Sequence, residues 1–204
     1  MTRRPSANRM ELMQLKRQLD VARRGHRLLK DKRDGMMQIF LELVRENLRL
    51  RSEVDALLTR AAQAMAWARA VLQPEVLGEA MQLSTQAMAV EVGTKSIMAV
   101  SVPEITVTES LADSSGPFPY SPAQTSGDVD VAIDALREAL PVMLALASVE
   151  KQVLLLAGEL ERTRRRVNSL EYVKIPELTD HIRSITLRMD ENERDNTTRL
   201  MKVK

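Results

Sequence analysis

The chain contains no cysteine, which excludes a disulfide framework, a thiolate metal site and a thiol nucleophile. Aromatic residues are nearly as scarce, at 2% of 204 residues. Phe, Tyr and Trp bury the largest areas in thick cores. A chain that is 44% hydrophobic with so few of them buries Leu, Ala, Met and Val along thin helix seams instead. A bilayer span requires ~20 apolar residues. The longest uncharged apolar run, Ala139 to Val149, is shorter and contains Pro141, so no membrane insertion is expected. The opening MTRRPSANRM has arginines without a following apolar stretch, so no secretory signal is expected either. Phosphate-loop, GxGxxG and HExxH patterns are missing, and His26 and His181 lie on separate tracts. No catalytic residue, metal site or cofactor is expected.

Proline is also absent from Ser6 to Gln73. Through this tract a 3,4 spacing runs without slippage: Leu12, Leu15, Leu19, Ala22, His26, Leu29, Arg33, Met36, Phe40, Leu43, Asn47, Leu50, Val54, Leu57, Ala61, Ala64, Ala68 and Val71. Such a series is the seam of a coiled coil, about nine heptads long. At 1.5 Å per residue the helix would measure roughly 100 Å. Pro5 and Ser6 are start signals, and Gln73-Pro74-Glu75 is a stop.

A second helical tract is expected from about Asp128 onward. Its seam begins Ile133, Leu136, Leu140, Met143, Ala147 and Leu154, then shifts to Val167, Leu170, Lys174, Leu178, Ile182, Ile185 and Met189, with three consecutive steps of four. Such a stutter unwinds a left-handed supercoil locally, and Pro176 inside it removes a backbone hydrogen bond and bends the helix. Between the tracts, residues 75 to 92 carry a weak helical pattern ended by Gly93. Val100, Val102, Ile105 and Val107 alternate around Pro103-Glu104, as in a small β-hairpin at about 97–108. Residues 112 to 128 are dense in Ser, Gly and Pro and read as a loop. The expected fold is mainly α: a long antiparallel two-helix coiled coil from the N- and C-terminal helices, with a small central hairpin and loop region. The segments are 6–73, 74–127 and 128–204.

Net charge is only +2, but it is unevenly spread. Residues 1 to 33 hold eleven Lys/Arg against three Asp/Glu, whereas residues 74 to 150 hold two against eleven. The basic end is densest in RRGHRLLKDKR, residues 23 to 33, where Arg23, Arg27 and Lys30 share one helical stripe; Arg164, Arg165 and Arg166 cluster on the other tract. Phosphate contacts from such cations would give salt-dependent nucleic-acid binding. Stacking aromatics and zinc or RNP patterns are lacking, and acids balance the C-terminal helix, so nucleic acid is not the expected partner. His26, Arg33 and Asn47 occupy seam positions, where polar residues act as register devices. A homodimeric coiled-coil scaffold is the alternative architecture, but a continuous two-chain rod would carry its heptads through residues 74 to 130.

NRMELMQLKRQLDVARRGHRLLKDKRD, residues 8 to 34, and RRRVNSLEYVKIPELTDHIRSITLRMDENERDNTTRLMKVK, residues 164 to 204, closely resemble the terminal signatures of the D subunits of the V-type/A-type ATPases and ATP synthases. IMAVSVPEI, residues 97 to 105, resembles that family's central hairpin. The resemblance implies a non-catalytic rotor shaft. Its termini enter a ring of A and B subunits, and its middle sits with the small F subunit on the membrane-side C or d subunit, peripheral to a membrane in the cytoplasm. In that setting Arg23, Arg24, Arg27, Lys30, Lys32, Arg33, Arg164, Arg165 and Arg166 are expected to meet acidic loops of the ring. Exposed ion pairs, typically worth ~0 to 1 kcal/mol each, suit contacts remade at every step. Val100, Val102, Ile105 and Val107 are expected on the membrane-side docking surface, and Gly25 is expected to admit a close approach by the partner helix or a ring loop.

Overall fold

The computed structural model describes residues 8–82, 89–108 and 125–203. In chain order these form α1 (Arg9–Val71), α2 (Pro74–Gln82), β1 (Ala89–Ile97), β2 (Val100–Thr108), α3 (Gly127–Ser169), a π-turn (Leu170–Lys174) and α4 (Ile175–Val203). The start signals at Pro5 and Ser6 lie outside the described residues. The Asn8 carbonyl accepts the first α1 hydrogen bond, from the Leu12 N–H at 3.0 Å, and Glu11 in the first turn complements the helix dipole. Leu, Ala, Met, Arg and Glu then continue the helix without a breaker. It ends shortly before Pro74, which opens α2 at the position where its missing N–H costs nothing. Asp128 and Asp130 serve the start of α3 as Glu11 serves α1.

The chain forms two compact units. The first comprises residues 1–37 and 158–204. Here the start of α1 runs antiparallel to the C-terminal helices: Arg9 pairs with Glu193 at 2.9 Å, and His26 Nε2 lies 3.3 Å from Glu171 Oε2. Leu19, Met36, Thr163, Val167 and Ile185 are buried, while Leu15, Leu29, Leu170 and Ile182 are half-buried. Thr163 is only 1% exposed, and its hydroxyl has no hydrogen-bond partner. Thr163→Val keeps the branched shape and removes the orphaned hydroxyl, so it is expected to stabilise the fold by about 1 kcal/mol. A higher midpoint of urea unfolding at unchanged slope would show this.

The second unit is residues 38–157. Its antiparallel helix pair is fastened by Arg60–Glu138 at 3.4 Å. Leu50 and Val54 are buried and Leu43 and Leu57 half-buried. Toward the end of α1 the buried residues become small, Ala61, Ala64 and Ala68, and α3 answers with Ala132, Ala135 and Ala139. Ala68, Leu77 and Val129 form a cluster with Met65, Leu72 and Ile133 around it. Val71, expected as the last seam residue, is 71% exposed, because the helix ends there and no longer presents a face.

Three expectations are corrected here. From Ile133 to Leu154 the seam of α3 sits one residue away from the expected series, which it rejoins at Val167 and Leu170. Ala132, Ala135, Ala139, Val142, Leu146, Val149, Val153, Leu156, Leu160, Thr163, Val167 and Leu170 are all buried or half-buried, whereas Leu136, Leu140, Met143 and Leu154 are exposed. The larger side chains suggest the wrong face, since alanines pack where two helices approach closely. Of the weak helical pattern at 75–92, the described helix covers Pro74–Gln82, and residues 89 onward are strand. The hairpin is also longer than expected and turns earlier, at Met98-Ala99, with Ile97 paired to Val100 and Thr94 to Pro103.

Both turn residues have positive φ, 51° and 68°, the signature of the type I′ turn that matches strand twist. Side chains with a Cβ are disfavoured there, by roughly 1–2 kcal/mol per residue. Ala99→Gly is therefore expected to stabilise the hairpin by about 1 kcal/mol, read as slower amide exchange at Ile97 and Val100.

The sequence shift near Pro176 is resolved by the π-turn. From Leu170 to Ile185 is 15 residues, where two heptads take 14. The five-residue turn Leu170–Lys174 absorbs the extra one, and the Ile175 N–H reaches back to the Leu170 carbonyl. Pro176 follows immediately and could not have supplied the ordinary i→i−4 bond. Both Val167 and Ile185 consequently remain buried.

Candidate partner-binding surfaces

The nine cations expected at a partner surface all belong to the first unit. Arg23, Arg24, Arg27 and Lys30 lie on α1 with Lys32 and Arg33, the last two half-buried, and Arg164, Arg165 and Arg166 are exposed on α3. At 3.6 residues per turn, Arg23, Arg27 and Lys30 fall within roughly 60° of arc, with Arg24 about 90° round from their centre and Lys32 on the far side of the helix. Two of the nine are engaged. Arg33 pairs with Asp34 at 2.7 Å, and Arg165 hydrogen-bonds Glu161. That hydrogen bond, with the charges of Arg165 and Arg164 adding to it, holds the Glu161 carboxyl below the usual carboxylate range. None of the other seven forms an ion pair within 4 Å among the described residues, and Arg164 acts on Glu161 only at longer range. A helix that needed these charges for its own stability would pair them at i,i+3 or i,i+4, as Arg49 does with Glu46 and Glu53.

His26 occupies the seam and meets Glu171 of the π-turn. Of the three polar seam residues it is the one with a cross-helix partner among the described residues, whereas Arg33 turns to its neighbour Asp34. Gly25 does not serve a close approach by the partner helix. A Cβ there would meet nothing within 4 Å, which leaves that face of the helix open.

Large apolar side chains on the outer face of the same helix form a surface that heptad reading passes over. Met10 is 82% exposed, Val21 61% and Leu28 69%, with Met13 also exposed. They lie opposite the seam together with Arg17 and Arg24, and Met10, Met13, Gln14 and Arg17 line a shallow groove. Leu187, Leu200 and Met201 are likewise exposed on α4. Following only the 3,4 series hides them. The same periodicity applied to the opposite face exposes this second stripe.

In the second unit Val102 is fully buried. It is therefore unavailable for the docking role expected of it. Val100 is half-buried, and the side chain of Val107 lies outside the described residues. Ile105 is half-buried. Further exposed apolar surface comes from Val90 and Val92 on β1 and from Leu136, Leu140 and Met143 on α3. By length and composition one stretch of the helix Gly127–Lys202 could cross a membrane, contrary to the expectation from uncharged runs alone. Its apolar section includes Glu150 and Lys151, and charges are costly at mid-bilayer. The same section holds the hairpin, since Ser148 Oγ and Gln152 Nε2 both donate to the Pro103 carbonyl, at 3.3 and 3.2 Å.

These features define a mainly helical coiled-coil protein with a hairpin insertion, whose outward faces carry unpaired cations and uncovered apolar side chains. The family model for the D subunit of ATP synthase matches residues 11–204. The chain is 52% identical over 201 residues to the V-type ATP synthase D subunit of Acetivibrio thermocellus, covering 98% of this chain and 90% of that protein. It is 48% identical over 197 residues to the protein of the same name from Clostridioides difficile, covering 96% and 88%. The chain belongs to the ATP synthase D-subunit family, and so is one component of a rotary, membrane-associated ATPase complex.

Proposed function

We propose that the chain is the non-catalytic central-stalk rotor of a V-type/A-type ATPase. It would carry torque between a catalytic A/B ring and a membrane rotor, and so couple ATP hydrolysis or synthesis to H+ or Na+ movement. The observation that carries this reading is the coincidence, on one antiparallel helix pair, of seven unpaired cations and a stripe of exposed Met, Val and Leu. Large exposed apolar side chains mark surfaces that another protein covers. Unpaired arginines and lysines suit acidic partner loops, and each such contact is weak enough to be broken and remade. In this reading the first unit turns inside the ring. The second docks, with the F subunit, on the membrane-side C or d subunit, using its acidic surface and Leu136, Leu140 and Met143. The chain then works in the cytoplasm, peripheral to the membrane.

Co-expression with candidate A, B and F subunits tests the reading. Recovery of one copy per A/B ring, with a changed ATPase rate, is the expected result. A stable self-dimer that ignores the ring would replace the rotor with a homodimeric scaffold. Retention on nucleic acid that falls steeply with salt would instead mark a basic-helix binder.

A further inference from the structure

The two-residue turn fixes which backbone groups of the hairpin point where. Ile97 and Val100 flank Met98-Ala99 and pair directly. Every second pair from there, Lys95 with Val102, Gly93 with Glu104 and Glu91 with Thr106, exchanges hydrogen bonds, and the pairs between them turn their N–H and C=O groups outward. Pro103 falls in one of the outward pairs, where a missing N–H costs the ladder nothing. Its carbonyl also points away from β1, and there it receives Ser148 and Gln152 of α3. The outer edge of β2 is thus held at Pro103 by a helix.

The outer edge of β1 has no such cover among the described residues. Val90, Val92, Thr94 and Ser96 present four outward N–H and four outward C=O groups, and all four side chains are exposed. A strand edge of this kind is a template for another strand unless it is blocked by proline, lysine or a bulge. β1 has no proline, and its one lysine, Lys95, leans inward to Glu104 of β2 at 3.8 Å.

We propose that β1 accepts an extended segment of a different polypeptide of the complex as a third strand, by backbone pairing at Val90, Val92, Thr94 and Ser96. The residues of β1 specify the chemistry of that segment. Val90 and Val92 lie on one face, 42% and 68% exposed, and call for apolar side chains opposite them. Glu91 lies on the other face without an ion pair among the described residues, and calls for a lysine or arginine. A second copy of β1 fits less well. Centred on Gly93, it would set Glu91 against Lys95 favourably, but it would place Val90 opposite Ser96 and Val92 opposite Thr94. Both valines would then be covered by hydroxyl-bearing side chains. The proposal rests on membership of the family and not on the rotor reading.

Deuterium exchange with residue-level fragmentation, on the free chain and on the assembled V-type ATP synthase complex that contains it, tests the edge directly. The amides of Val90, Val92, Thr94 and Ser96 are expected to exchange fast in the free chain and about tenfold more slowly in the complex. Those of Glu91, Gly93 and Lys95, already in the ladder, should change little. Val92→Pro removes an outward N–H and leaves the ladder intact, so in the complex it should abolish the slowing at Thr94 and Ser96. Val92→Lys, which keeps the N–H, serves if the proline variant fails to fold. Fast exchange in both states overturns the proposal, as does slow exchange already present in the free monomer. Slowing that tracks self-dimerisation in sedimentation would also overturn it and assign the edge to a second copy. None of these outcomes alters the result of co-assembly with A and B subunits.

Discussion

Replacing Arg27 and Lys30 together by glutamate is expected to lower torque and ATP-driven turnover of the assembled complex on the order of tenfold, equivalent to about 1.4 kcal/mol. The double variant should leave helicity unchanged. Both side chains have no acidic partner among the described residues, so the fold loses no ion pair when they are reversed. What the proposed rotor role expects to change is the encounter with acidic surface on a neighbour. Two attractions, each typically ~0 to 1 kcal/mol when exposed, become repulsions of similar size. Single-molecule rotation under viscous load and steady-state ATPase would report the change together, and raised salt should narrow the difference between variant and parent. Unchanged torque and rate would remove these residues from the partner surface. In that event the apolar stripe of Met10, Met13, Val21 and Leu28 would be left as the contact.

Excising the whole hairpin, residues 89–108, is expected to cut coupling several-fold while α1 and α3 stay helical. Removing only 97–108 would leave β1 without its ladder and confuse loss of contact with local unfolding. Among the described residues the hairpin is hydrogen-bonded to α3 at the Pro103 carbonyl, whereas the helix pair keeps its own alanine seam and the Ala68, Leu77 and Val129 cluster. Ion transport per ATP hydrolysed, set beside far-ultraviolet dichroism, separates the two effects. Loss of helix on excision would mean that the hairpin is a structural brace.

The long helices are readable from sequence because seam spacing survives whatever covers the other face. In α1 the expected seam from Leu19 through Met36, Leu50 and Val54 to Ala68 coincides with the buried row. In α3 the same reading misses by one residue, and the cause is physical. Ala132, Ala135 and Ala139 form the buried row, while Leu136, Leu140 and Met143 beside them have the stronger hydrophobic signal and face outward. A large apolar residue that faces outward looks, in sequence, like one that is buried, and outweighs the small residues that make the seam. The hairpin turn is hidden for a related reason. Met98 and Ala99 adopt positive φ without the Asn or Gly that announces such a turn, and Pro103 draws attention to a position that is mid-strand. The basic stretch is legible as charge, but which of its cations are already paired depends on rotamers that spacing does not encode.

The π-turn at Leu170–Lys174 also bears on how this chain can change length over generations. Elsewhere in a helix the loss of one residue rotates everything beyond it by about 100° and carries the apolar row off its partner. Within this turn the loss of one residue returns the spacing from Leu170 to Ile185 to two whole heptads, and the turn can close as ordinary α-helix. The five positions are thus a place where a codon can be lost without dislodging Val167 on one side or Ile185 on the other. Glu171, which meets His26, is itself one of those five positions, so its own loss would be the one that removes a cross-helix contact.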